Sequence, residues 1–129
     1  MHNLVTRFVK LNTEPHQPGG LMRLQAELLD NELQDGVECL QQFGFASDPL
    51  PGAEGVCFAN RGQSGQRIGA LVDDRRYRPV HFGGESVMYN AYGVRIYQRA
   101  DGSILIVAPA GVHIVTMGNA GTLLVNGNI

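Results

Sequence analysis

The sequence predicts an all-β chain built from two kinds of strand, and three observations carry that expectation. Short apolar stretches alternate with polar residues at a period of two, as half-buried strands do. Gly and Pro clusters punctuate the chain at short intervals, with 17 Gly and 6 Pro among 129 residues. Charge stops abruptly: the ten Lys and Arg and twelve Asp and Glu all lie within 7–101, and 102–129 contains none. The apolar fraction of 43% is that of a folding chain, and a length of 129 residues bounds it to one domain or one small domain with an appendage.

The elements follow in order. Over 3–11, Leu4, Val5, Phe8, Val9 and Leu11 fall on one helical face and Arg7 and Lys10 on the other. That spacing predicts a short N-terminal helix, with 1–12 as its segment, ended by Pro15, Pro18 and Gly19-Gly20. Met22, Leu24, Ala26 and Leu28 then alternate with Arg23, Gln25 and Glu27 as a strand. After a turn at Asp35-Gly36, Val37, Cys39, Gln41 and Phe43 alternate again. A break at Pro49-Leu50-Pro51-Gly52 precedes strands at 55–59 and 68–72, joined by a Gly-rich hairpin over 60–66. The polar run 73–79 leads to strands near 86–90 and 94–99. Five or six short strands with little helix read as a small OB-type barrel, expected over 13–101.

The uncharged tail, 102–129, reads as strands at 103–107, 112–117 and 122–128 between small-residue turns. A set of such strands has no charge to solvate an outer face and cannot bury both faces by itself. Its hydrogen bonds and apolar contacts must come from elsewhere, either by folding back onto the barrel or from identical tails that wrap around one another. The intertwined oligomer is the favoured reading, because self-association avoids open strand edges.

The residues set limits on function. The net charge of −2 supplies no pull toward nucleic acid or anionic lipid. Cys39 and Cys57, 18 residues apart without a CxxC pattern, read as small apolar core residues. The N-terminus lacks the basic and apolar regions of a signal peptide, so folding in a cytoplasm is expected. Gly62-Gln63-Ser64-Gly65 lacks the Gly-Lys-Ser/Thr ending of a phosphate loop. Ser47 and Ser64 lack a nucleophile elbow, and no acid–base constellation forms, so no enzyme is expected. An OB-type barrel also admits a binding module for oligonucleotide or glycan. Single-strand binders need a basic groove with stacking aromatics, however, and only Tyr77 sits in a basic run, behind two Asp. No nucleic-acid binding is expected.

Two blocks carry a family resemblance: FGFASDPLPGAE at 43–54 and VDDRRYRP at 72–79. Together with Gly84-Glu85 and the turn at 89–93, they resemble the phage Mu-type baseplate assembly proteins, the central membrane-piercing spikes of contractile tails, over about 4–107. The resemblance implies a homotrimer with an N-terminal OB barrel followed by a triple-stranded β-helix, here beginning at 102. It implies partners in the tail hub and tube proteins, a location in the virion tail baseplate, and passage through the host outer membrane on sheath contraction. Ile104, Ile106, Ile114 and Val125 are the expected trimer core, as inward positions of the pleat. Asp73, Asp74, Arg75, Arg76 and Arg78 are the expected intersubunit or hub contact, because Asp–Arg pairs fix register between surfaces. Related spikes end in an apex where His-x-His pairs bind iron. The histidines here are His2, His16, His81 and His113, so no apical iron or other cofactor is expected, and a separate tip protein could complete the shaft.

Overall fold

The computed structural model describes residues 5–14, 20–28, 31–60, 63–115 and 123–127. It divides into two units, 1–80 and 81–129.

The first unit is a closed five-stranded barrel in the order β1-β2-β3-β5-β4, formed by β1 (Val5–Thr13), β2 (Met22–Glu27), β3 (Leu33–Cys39), β4 (Glu54–Asn60) and β5 (Gln63–Asp73). All neighbours are antiparallel except β3 and β5, whose parallel contact closes the ring. This is the OB-type arrangement. Inward positions of the strands meet in one core of Phe8, Leu24, Ala26, Leu28, Val37, Cys39 and Cys57. Both cysteines are free and buried in it, and burial is the main cause that pushes their thiol pKa values up. Gly55 is required where it stands, because a Cβ there would lie 2.5 Å from Cζ of Phe8.

Two expectations need correction. Val5–Thr13 is a strand, not a helix. The alternating inward residues are Thr6, Phe8 and Lys10, and two of the three are polar, so an apolar tally favoured the helical reading. Val5, Thr6 and Val9 are β-branched, which favours the extended backbone. The barrel also includes β1 and is complete at Asp73, so the strands beyond 80 are not barrel strands.

The second unit is a three-stranded meander of β6 (Ser86–Tyr89), β7 (Arg95–Gln98) and β8 (Ile104–Val107). Its turns repeat. Gly84, Gly93, Gly102 and Gly111 follow one another at nine-residue steps, with φ of 83°, 83°, 84° and 100°. Each sits in the left-handed region that glycine enters without a Cβ clash. The register keeps pace with the turns: Met88 faces Ile96, which faces Ile106, while Val87 faces Tyr97, which faces Leu105. One face therefore presents Met88, Ile96, Ile104 and Ile106, and the other presents Val87, Tyr97, Leu105 and Val107.

Candidate functional site

Two surfaces come out of this fold. The first is an ion-pair belt on the barrel. As β5 ends, the Asp74 carboxylate accepts the backbone N–H of Arg76 at 3.1 Å and closes a tight turn. The same carboxylate accepts Nε and Nη2 of Arg76 at 2.9 and 2.7 Å, a bidentate pair that adds orientation to charge. This side-chain bond from Arg76 is the largest cause holding the Asp74 carboxyl below the usual range. Arg76 Nη2 also donates to the Pro51 carbonyl at 2.9 Å, and its guanidinium lies 5.2 Å from the Tyr77 ring. Gly52 makes room for that approach, since a Cβ there would stand 3.0 Å from Arg76 Nη1. Arg78 pairs with Asp73 at 2.7 Å, and Arg75 pairs with Glu54 at 2.7 Å. Arg7 reaches the same Glu54 oxygen at 2.9 Å.

The five residues singled out from sequence are thus brought together, and their charges are engaged within the chain. Sequence reasoning missed Arg7 and Glu54, which the β1–β4 pairing delivers to the same spot. It also missed Lys10. Lys10 is only 2% exposed, and its Nζ donates to Asp48 Oδ1 at 2.9 Å and to the Pro49 carbonyl. Thr13 Oγ1 donates to the same Asp48 oxygen at 2.5 Å. Backbone bonds between Lys10 and residues 52 and 53 complete the clamp. The two sequence blocks at 43–54 and 72–79 are therefore joined physically, since each supplies one side of a loop locked by Lys10 and Arg76.

Beside the first block, 41–48 forms a loop closed by Gln41, whose amide donates to the Ser47 carbonyl and accepts the Ser47 N–H at 2.8 and 3.0 Å. It carries Phe43 and Phe45 exposed to solvent, where a strand continuing to Phe43 was expected. The adjoining groove is lined by Leu21, Met22, Phe43, Phe45 and Asp48 among others.

The second surface is the meander. Ile104 and Ile106 lie on one face of β8, and they are 68% and 55% exposed. Ile114 and Val125, at 62% and 70%, are described outside any strand. Leu105 and Val107 on the opposite face of β8 are exposed as well. Glu85 ties the sheet's turns together by accepting the N–H groups of Phe82 and Ala100 at 2.9 and 2.8 Å. Asn90 Oδ1 accepts those of Tyr92 and Val94.

His2 and His16 lie outside the described residues, and among the described residues no group of three His, Cys, Asp or Glu could hold a metal.

Residues 13–76 match the family model described as Bacteriophage Mu Gp45, N-terminal. The chain is 42% identical over 87 residues to the Baseplate puncturing device gp45 of Escherichia phage Mu, covering 67% of this chain and 44% of that protein. It is 30% identical over 84 residues to the Mu-like prophage FluMu protein gp45 of Haemophilus influenzae, covering 64% and 46%. The chain thus spans less than half the length of these relatives. On these matches it belongs to the phage Mu-type family of baseplate spike proteins.

Proposed function

We propose that the chain is a central spike protein of a contractile-tail baseplate, acting as a homotrimer in the virion. The barrel attaches to the tail hub and tube proteins, and Asp73, Asp74, Arg75, Arg76 and Arg78 form an intersubunit or hub contact. From 102 onward, three copies begin an intertwined β-helix whose core takes Ile104, Ile106, Ile114 and Val125. Sheath contraction drives this shaft, with a tip protein ahead of it, through the host outer membrane. The role is mechanical rather than catalytic.

One observation carries the reading: the meander exposes large aliphatic side chains on both faces of β8, which is an edge strand among the described residues. Such a sheet is an aggregation hazard unless another surface covers it. Copies of the same chain offer the same nine-residue repeat and can continue the ladder. Interlocked in this way, they leave no free edge, so axial force loads many backbone hydrogen bonds at once. The puncturing role in the name of the phage Mu relative supports the same reading.

Light scattering on the full chain and on one ending at Gly102 tests it. A mass of three chains that falls to one on truncation is expected. A monomer in both cases overturns the shaft, and binding of labelled oligonucleotide or glycan at physiological salt would then favour the binding module.

A further inference from the structure

The barrel divides its charge between separate walls. In the ring order, β4 adjoins β1 and β5 but neither β2 nor β3. Among the described residues the β2–β3 wall carries Glu27, Glu32, Asp35 and Glu38 against one cation, Arg23, whose Nη2 stands 3.8 Å from Glu38. The other wall, built from β1, β4 and the run after β5, carries Arg7, Arg75, Arg76 and Arg78 against Glu54, Asp73 and Asp74. Here Arg7 and Arg75 converge on a single oxygen of Glu54, so two cations share one anion. Both guanidiniums are more than two-thirds exposed and have further donors to offer. The β2–β3 wall is net negative and the arginine wall net positive, so the two are complementary in sign to each other. That is the condition for a head-to-tail contact between identical chains, as distinct from a two-fold one.

We propose that the barrels of neighbouring copies pack head to tail, with the arginine wall of one chain against the acidic β2–β3 wall of the next. Arg7 and Arg75 are the donors and Glu27 and Glu38 the main acceptors. An acidic foreign partner would use one wall only; a second copy uses both. The inference rests on the self-association proposed above and adds what holds the barrels together apart from the tail.

The test uses the full chain carrying Arg75→Lys, refolded as a mixture of ¹⁴N- and ¹⁵N-labelled copies and treated with a zero-length carbodiimide. Mixed-isotope cross-links from position 75 to Glu27, Glu32, Asp35 or Glu38 are expected. Cross-links only within a chain, to Glu54, in a sample with the mass of three chains overturn the inference and leave the trimer standing. A monomer at every concentration overturns the trimer itself. In parallel, Arg7→Glu with Arg75→Glu should weaken self-association by about tenfold at low salt. Adding Glu27→Lys and Glu38→Lys should restore it. If the reversals leave association unchanged but abolish binding to other baseplate proteins, the arginine wall serves a foreign partner and the inference fails.

Discussion

The barrel and the meander are both small antiparallel structures, yet they settle their apolar surface in opposite ways. The barrel closes on itself, leaves no edge, and places Phe8, Leu24, Val37, Cys39 and Cys57 in a common interior. Among the described residues the meander keeps two edges, and its β8 side chains are exposed on both faces. A closed ring of strands can complete its core within one chain, whereas a three-stranded sheet with two apolar faces needs a second surface on each. One chain can therefore carry an autonomous module and a module built for assembly, separated by a change in charge content. The meander has two cations, Arg95 and Arg99, and two anions, Glu85 and Asp101, and the following tail has none of either.

Substitutions can attack this contrast from either side. Ile114→Asp should have the largest effect, because on the proposed trimer axis it would place three like charges together in a dry core and abolish assembly. Sedimentation should then show monomers, while the unfolding midpoint of the barrel stays unchanged; a trimer with unaltered melting would remove Ile114 from the axis. Leu24→Ala should do the reverse, costing the barrel about 2–5 kcal/mol in denaturant unfolding and leaving association through the tail in place. Lys10→Met should cost about 1.5–3 kcal/mol, because it removes a buried charged donor from Asp48 and the Pro49 carbonyl. Amide exchange at residues 52 and 53 should rise with it. The smallest effect is on pH dependence. The Asp74 pKa is depressed in the folded chain, chiefly by the bond from Arg76. Its contribution is therefore present above the ordinary aspartate value of about 3.9 and is lost as pH falls below that, through the lower folded value. Asp74→Asn should flatten this part of the acid unfolding curve, leaving dissociation of the tail unaffected.

Much of the barrel was legible because its strands follow a strict alternation. Leu24 and Ala26 on β2, and Val37 and Cys39 on β3, announce an inward face two residues apart. The helical reading of β1 failed for a physical reason: its inward residues include Thr6 and Lys10, and Lys10 is buried because a loop carbonyl and a carboxylate are brought to it from 48–53, far along the chain. No local pattern encodes that. Phe43 continues an alternation on paper, but the strand ends at Cys39 and the Gln41–Ser47 bonds fold the chain into a loop. The belt at 73–78 was visible as a run of charge, yet its closure on Glu54, Arg7 and Pro51 depends on strand pairing. The nine-residue glycine period is present in the sequence, but an apolar pattern passes over the turns that carry it.

The contrast comes down to a barrel that closes within one chain and a meander that, in the proposed function, other copies complete. Amide hydrogen exchange of the full chain at falling protein concentration separates the two. Protection at Leu24, Val37 and Cys57 should be independent of concentration, while protection at 104–107 and 112–115 should fall as copies dissociate. Protection at 104–107 that persists at every dilution, with 112–115 exchanging freely throughout, would mean that the meander is stable alone and that no other copy completes it.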